Sequence, residues 1–292
     1  MSSTAEELFE QHRSLLFTVA YEMLGSVADA DDVVQESWLR WADVDHDGVL
    51  DPRAYLVRVV TRQSLNRLRT LNRRRESYVG PWLPEPLLTA PDVADDVELA
   101  ESVSLAMLVV LDTLSPLERV VFVLREVFGF DHAEVAEATG RSVDAVRQLA
   151  SRARKHVQER RPERRTDADA EQVAASFFAA AAGGDLQDLM DLLAPDVVLL
   201  SDGGGKAKAA LRPITGADKV ARFLIGIRPE DEDFGVEWKP VNGTPSALVH
   251  LGGRLDTVAT GIIEDGRVVR LYLVRNPDKL AGLRGERTIT RV

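Results

Sequence analysis

The stretch DHAEVAEATGRSVDAVRQLASRARKHV, residues Asp131–Val157, decides the fold of the middle of the chain. It predicts two helices that cross closely at a turn, because Ala136 is small, Gly140 suits a turn and Val146 is a buried aliphatic. Ser142 is the predicted N-cap of the second helix. That helix has one apolar face and one basic face, a pattern typical of a helix-turn-helix that enters the major groove of DNA.

The outward face of the second helix supplies the candidate DNA-contacting residues. They are Ser142 at the N-cap, followed by Arg147, Gln148, Ser151, Arg152 and Lys155.

A second basic segment lies earlier in the chain, between Arg53 and Arg75. It carries eight arginines and no Asp or Glu, within a chain whose formal net charge is −11. A long acid-free arginine run forms no internal salt bridges and repels itself, so an anionic partner explains it better than a solvated face does. Two basic clusters on separate helical segments therefore predict contact with nucleic acid at two places.

Composition sets the bounds of the remaining interpretation. The 292 residues, 45% of them hydrophobic, suffice for two or three small cores. Cysteine is absent, which excludes disulfides, thiolate zinc sites and thiol nucleophiles. No apolar run approaches the length of about 18 residues that a membrane span needs, and Met1–Gln11 lacks the features of a signal peptide. We expect a cytoplasmic protein with no metal and no cofactor.

The pattern of elements predicts a multidomain fold, with two all-α domains followed by a cone-shaped α+β domain. Between Glu76 and Glu101 prolines and acids accumulate, which predicts an extended connector that does not pack. In the last domain we expect helices over 170–182 and 185–193, and strands over 197–200, 236–241, 247–252, 257–264 and 267–276.

Three stretches, taken in order, resemble the extracytoplasmic-function (ECF) sigma factors, the promoter-recognition subunits of bacterial RNA polymerase. Ala28–Trp38 resembles the helix that binds core polymerase, and Ala54–Arg69 resembles the segment that recognises and melts the −10 element. Leu114–Arg119 and the helix-turn-helix resemble the domain that reads the −35 element. The resemblance implies core RNA polymerase and promoter DNA as partners, and no chemistry performed by the chain itself.

The resemblance also assigns roles to individual residues. It implies polymerase binding by Asp29, Asp32, Gln35 and Glu36. It implies contacts to the −10 element by Tyr55, Arg58, Arg62, Asn66, Arg67 and Arg69. The helix-turn-helix residues given above become the candidates for the −35 element.

Three further stretches resemble the signature segments of sigma factors that carry a fused C-terminal SnoaL-like domain. They are Trp82–Pro86, Asp202–Lys206 and Asn276–Leu280, and the resemblance implies regulation in cis. We expect the last two to meet in space. The candidate regulatory residues are Trp82, Pro84, Asp202, Gly203, Gly204, Gly205, Lys206, Asn276, Pro277, Asp278, Lys279 and Leu280.

These patterns predict four parts: sigma region 2 (1–76), a Pro-rich acidic linker (77–100), sigma region 4 (101–163) and the SnoaL-like regulatory domain (168–292). Two other classes of function stay open. One is a ligand-responsive helix-turn-helix regulator that acts without polymerase. The other is an enzyme with a pocket lined by Asp202, Trp238, His250, Arg254 and Tyr272. A small-molecule or protein regulator of the C-terminal domain also stays open.

Overall fold

The structure, a computed structural model, describes residues 5–90, 93, 96–160, 170–227, 234–283 and 285–291. The helices of the first half are α1 (Ala5–Leu24), α2 (Val27–Ala42), α3 (Pro52–Arg75), α4 (Val97–Val103), α5 (Leu105–Leu111), α6 (Pro116–Phe122), α7 (His132–Thr139) and α8 (Val143–Gln158).

The starts of these helices follow from side chains that accept hydrogen bonds from otherwise unpaired backbone amides. Ser26 caps α2 by accepting from the amide of Asp29, and Ser115 forms a capping box with Glu118 at the start of α6. α3 continues as far as Arg75, because nothing in its polar second half breaks a helix.

The first three helices pack as a bundle around an apolar core. Leu16, Val19 and Leu56 are fully or almost fully buried there. Trp41 is also fully buried, and its indole N–H donates to the carbonyl of Ala5 (2.8 Å). A large aromatic with a satisfied polar atom fixes the crossing of α1 and α2.

The second half begins with two helices and continues as a sheet. The elements are α9 (Ala170–Gly183), α10 (Leu186–Leu192), β1 (Leu193–Asp202), β2 (Ile214–Thr215), α11 (Ala217–Ile227), β3 (Phe234–Val241), β4 (Thr244–Leu251), β5 (Arg254–Glu264), β6 (Arg267–Val274) and the short helix α12 (Pro277–Leu280). All helices and strands predicted for the last domain are present. The sequence analysis missed β2, α11 and α12.

The six strands form one sheet in the order β2-β1-β6-β5-β4-β3. β1 pairs with β6 in parallel, and the other neighbouring pairs are antiparallel. One face of the sheet packs against α9, α10 and α11 through Phe177, Leu189 and Val220. Helices followed by a sheet with one helix-covered face confirm the predicted fold class.

The chain forms two compact units, which do not follow the order of the sequence. The helical unit contains Met1–Glu76, Thr89–Arg161 and Arg287–Val292. The α+β unit contains Ser77–Leu88 and Pro162–Glu286. Both basic segments therefore belong to the helical unit. The first part of the connector belongs to the α+β unit, whereas the last residues of the chain belong to the helical unit.

The prediction that the connector does not pack was wrong. Its backbone is extended, but Leu83, Pro84 and Leu87 are buried. Proline and acidic residues signal the absence of regular secondary structure, yet the aliphatic residues between them provide apolar area that folding can bury.

Within the described residues, no helix is long and apolar enough to cross a membrane. The same residues contain no group of three or more metal-ligating side chains.

A buried carboxyl group lies inside the helical unit. Ser102 of α4 donates to the Glu22 carboxylate of α1 (2.8 Å), and the Arg119 guanidinium of α6 donates to the Glu22 carbonyl (3.0 Å). Burial, opposed by the Ser102 hydrogen bond and the charge of Arg119, raises the pKa of Glu22 to about 8. The network joins α1 to α4 and α6, the helices that precede the helix-turn-helix.

We predict that Glu22→Gln makes the free energy of unfolding less dependent on pH. Between the ordinary carboxyl pKa of 4.5 and the folded value of about 8, the folded chain keeps a proton that the unfolded chain loses. This group's contribution to stability therefore falls as pH rises through that window, by up to about 1.4 kcal/mol per pH unit. Glutamine keeps a polar group for Ser102 but does not titrate. Urea unfolding of both proteins at pH 5.5 and 7.5 measures the difference, and equal changes in the two proteins would refute it.

Candidate DNA and polymerase interfaces and the linker clamp

The helix-turn-helix is formed by α7 and α8. Asp131 caps α7 in a capping box with Glu134, and Gly140 turns the chain with a left-handed backbone (φ 65°). Ser142 then caps α8 by accepting from the amide of Ala145. These three turn and cap residues place α8 directly after α7, as predicted.

The face of α8 predicted to contact DNA is exposed. The residues on it are Arg147, Gln148, Ser151, Arg152 and Lys155, and the N-cap Ser142 is also exposed. The predicted buried stripe on the opposite face is confirmed, with Val146, Ala150, Ala153 and Val157 all buried. The side chains thus have free access to a groove, while the stripe fixes the helix on α6.

Two candidate −10 residues of α3 contact the end of α7. Arg58 forms an ion pair with Glu137, and Arg62 donates to the carbonyls of Glu137 (3.1 Å) and Ala138 (3.4 Å). Carbonyls at a helix C-terminus lack partners within the helix and carry partial negative charge, so they attract a guanidinium. In this conformation Arg58 and Arg62 are therefore both bound to the end of α7.

The other −10 candidates have varied surroundings. Tyr55 lies between Trp41 and the guanidinium of Arg58. The centroid of its ring is 5.6 Å from that of Trp41 and 5.4 Å from the guanidinium carbon of Arg58. Asn66 and Arg69 are exposed and hydrogen-bonded to each other (3.2 Å). In this conformation Tyr55 thus packs against both Trp41 and Arg58.

Arg67 joins α3 to the candidate polymerase-binding face of α2. Its guanidinium donates to Asp29 (2.6 Å) and also pairs with Asp32. Gln35 and Glu36 lie on the same helix and are exposed. The structure thus brings a candidate DNA residue onto two candidate polymerase residues, a pairing that the sequence analysis did not predict.

A second site lies within the α+β unit, where the three signature stretches meet. The Asp202 carboxylate accepts from the Tyr78 hydroxyl (2.6 Å), the Leu83 amide (2.8 Å) and the Lys279 ammonium (2.7 Å). Lys279 also donates to the carbonyl of Leu83. The buried ion pair therefore binds both the backbone amide and the backbone carbonyl of Leu83. We call this arrangement the linker clamp, comprising Asp202, Lys279 and Asn276 around the segment Tyr78–Leu88.

The clamp has an aromatic component. The Lys279 ammonium lies 3.3 Å from the centroid of the Trp82 ring, a short cation–π contact, and 5.1 Å from that of Tyr78. Asn276 donates to the Tyr78 hydroxyl (2.7 Å). Burial, together with the neighbouring Asp202 charge, raises the pKa of Tyr78, so its hydroxyl remains a donor.

Because the ion pair between Asp202 and Lys279 is buried, both groups need well-placed hydrogen-bond partners. The side chains of Asp202 and Lys279 are 0% and 3% exposed. A charge out of water is tolerated only when it is paired and hydrogen-bonded, and here the linker provides several of the required partners.

The glycines after Asp202 allow the loop to approach closely. A Cβ on Gly203 would lie 2.3 Å from the carbonyl oxygen of Ala207, and one on Gly204 would lie 2.3 Å from the Asn276 amide nitrogen. Beyond them, Lys206 forms an exposed ion pair with Asp278. The two stretches Asp202–Lys206 and Asn276–Leu280 thus meet, as the sequence predicts.

The remaining candidate regulatory residues lie around this contact. Pro84 and Leu280 are buried, whereas Gly205 and Pro277 are exposed.

The sequence analysis missed two parts of the clamp. Tyr78 lies just before the recognised linker stretch, and Asn242 exchanges two hydrogen bonds with the backbone of Leu87 (2.8 and 3.0 Å). Asn242 has a positive φ of 54°, and an Asn-Gly turn signal in the sequence could have indicated its special backbone but not its partner.

Two of the residues considered for an enzyme pocket, Trp238 and Asp202, lie on opposite faces of the sheet. In a strand, successive side chains point to opposite faces of the sheet. Trp238 shares a register row with Ala247 and Ala259 of the helix-covered face, and it packs against Phe178. Asp202 instead lies in the linker clamp. Trp238 and Asp202 therefore do not line one pocket, and residue type alone does not reveal the face on which a strand residue lies.

Comparisons with known proteins agree with the geometry of the helical unit. Residues 8–74 match the family model of sigma-70 region 2, and residues 104–157 match that of sigma-70 region 4. The two basic helical segments thus define a sigma factor of the sigma-70 class.

Similarity extends beyond these regions over the whole chain. The ECF RNA polymerase sigma factor SigJ of Mycobacterium tuberculosis is 42% identical, covering 94% of this chain and 92% of that protein. SigI, a probable ECF sigma factor of the same species, is 32% identical with 94% of each chain covered. The crystal structure of SigJ superposes with a TM-score of 0.74 at 37% identity, over 96% of this chain and 99% of that one.

The chain belongs to the ECF RNA polymerase sigma factors. Its relatives over the full length are sigma factors, so they give no support to an enzyme or to a regulator that acts without polymerase.

We predict that Lys279→Met destabilises the α+β unit by about 3–5 kcal/mol, because it leaves the Asp202 carboxylate buried without its counter-charge. The linker should then become sensitive to protease between Tyr78 and Leu88. The matched control is Lys206→Ala, which removes an exposed ion pair worth about 0–1 kcal/mol. Denaturant unfolding and limited proteolysis measure both effects, and equal behaviour of the two variants would refute the clamp.

Proposed function

We propose that the protein binds core RNA polymerase in the cytoplasm, directs it to specific promoters and supports the initiation of transcription. Full-length similarity to ECF sigma factors carries this proposal. We assign region 2 to residues 1–76, the linker to 77–100, region 4 to 101–163 and a cis-regulatory domain to 168–292. Residues 77–88 belong to the α+β unit, and residues 287–292 belong to the helical unit.

We assign polymerase binding to the acidic face of α2. Gln35 and Glu36 are exposed, and Asp29 and Asp32 share the guanidinium of Arg67. Surface charges of this kind mainly set the rate and specificity of association, and they attract a basic partner surface. The Arg67 pairs are partly exposed, so a polymerase residue can exchange with Arg67 at little cost.

We assign DNA contact to one face of α8 and one of α3. The basic face of α8 is exposed and matches a helix that lies in the major groove and reads the −35 element. On α3, Arg58 and Arg62 contact α7. They cannot contact DNA at the same time, so promoter binding requires α7 to leave α3.

The α+β unit regulates this opening through the chain connections. The linker joins the two helical regions, and residues 77–88 are fixed in the clamp by Asp202 and Asn242. A linker anchored in this way limits how far the segments on either side can separate. The clamp therefore sets the balance between the closed arrangement and one that binds the promoter.

We predict that Asp32→Arg combined with Glu36→Arg abolishes association with core polymerase and leaves the fold intact, because attraction at the α2 face becomes repulsion. The control carries the same charge change on another exposed helix, Asp188→Arg with Asp191→Arg on α10. A pull-down with core polymerase compares the variants. Retained binding by the α2 variant, or equal weakening in both, would contradict the assignment.

We predict that Arg147→Ala or Arg152→Ala weakens −35-dependent transcription by about 1–3 kcal/mol for each arginine–base interaction removed. The control is Arg154→Ala on the same helix, because the Arg154 guanidinium is already bound by Glu126 through two hydrogen bonds (2.8 and 3.1 Å). Transcription with core polymerase on templates with and without the −35 element tests this. An equal decrease on both templates would refute the role.

A further inference from the structure

The last described residues, Arg287–Arg291, cross the helical unit as an extended segment. Arg287 forms a parallel β-bridge with Thr89, and the amide of Thr290 donates to the Thr18 hydroxyl (3.1 Å). Between them, Ile289 is only 4% exposed. The segment thus combines backbone pairing with one buried aliphatic side chain, as a bound peptide does.

At one end of the segment, Arg287 contacts region 2. Its two terminal nitrogens each donate to one oxygen of Asp31 on α2, both at 2.7 Å. The same guanidinium lies 4.8 Å from the centroid of the Phe17 ring on α1. A bidentate ion pair combined with an aromatic stack fixes orientation as well as charge, and lysine could not reproduce it.

At the other end, Arg291 contacts the start of α4. It donates to both oxygens of Asp96 (2.8 and 3.0 Å) and to Glu98 (2.6 Å). Asp96 is also the N-cap of α4, and the hydrogen bond from the Leu99 amide, together with Arg291, lowers the pKa of Asp96. The acidic partner is therefore charged, and it belongs to the helix that leads into region 4.

The two arginines thus join parts of the chain that are far apart in sequence. Arg287 holds α1 and α2, while Arg291 holds α4, whose Ser102 bonds to the buried Glu22. Removing the segment would leave the acids Asp31, Asp96 and Glu98 without this counter-charge and would expose the apolar site of Ile289.

We propose that the surface of the helical unit that carries Thr18, Asp31, Thr89, Asp96 and Glu98 is a peptide-binding site for a short dibasic segment with a central aliphatic residue. Its ligand is the chain's own Arg287–Arg291. Its occupancy keeps region 2 packed against region 4, and its release is a step toward the open form. This regulatory consequence rests on the proposed sigma factor function.

The test uses the full chain stopped after Glu286, which leaves all of the α+β unit in place. A synthetic peptide of residues 286–292 is then added in trans. The chain has no cysteine, so spin labels at Arg40→Cys on α2 and Asp144→Cys on α8, both exposed, report the separation of the two regions. We expect the truncation to broaden the distance distribution and the peptide to restore it. Peptides with Arg287→Glu or Ile289→Ala should not restore it.

A charge exchange in the full-length chain tests the register of the segment. Asp31→Arg should broaden the distance distribution, and Arg287→Asp added to it should narrow the distribution again. Arg254→Ala at the start of β5, an exposed arginine of the α+β unit, serves as the control and should leave the distances unchanged.

Two results would overturn the proposal. One is a folded truncated chain that does not bind the peptide, and the other is peptide binding with no change in the label distances. Both measurements are made without polymerase. A chain that opens and closes as expected but gives no transcription with core polymerase would refute the proposed function and leave the peptide site in place.

Discussion

The buried ion pair between Asp202 and Lys279 is the constraint on which the packing of the linker in the α+β unit depends. Neither group can remain charged away from water unless its hydrogen-bonding capacity is satisfied, and the sheet and its loops alone supply too few partners. The Leu83 backbone and the Tyr78 hydroxyl complete the set. The linker is therefore part of the fold of the α+β unit, although it lies between the two sigma regions in sequence.

The helical unit contains two kinds of polar contact with different consequences. The Arg58–Glu137 and Arg67–Asp32 pairs are partly exposed, so each contributes only about 0–1 kcal/mol, and a polymerase or DNA charge can replace either partner. The network around Glu22 is fully buried, and its groups cannot be exchanged for solvent without cost. The exposed pairs can thus be exchanged for charges of a partner at little cost, whereas the buried network fixes α1 on α4 and α6.

The sequence predicted local features well and long-range features poorly. The α8 stripe and caps were predictable, because helical periodicity and cap chemistry depend on residues a few positions apart. The meeting of Asp202–Lys206 with Asn276–Leu280 was expected only through a family resemblance. The packing of Leu83, the pairing of Arg67 with Asp29 and the position of Arg287 on Asp31 were not predicted. Each depends on tertiary contacts over 38 or more residues, which no local pattern encodes.

In the closed arrangement Arg58 and Arg62 contact α7, and we propose that α7 must leave α3 before α3 can meet DNA. The most direct measurement is the distance between labels on α3 and α7, recorded for the free protein and again with core polymerase and promoter DNA. We predict a short, narrow distance distribution for the free protein and a clearly longer distance in the complex, because Arg58 and Arg62 leave the end of α7. An unchanged short distance in a complex that initiates transcription would contradict it.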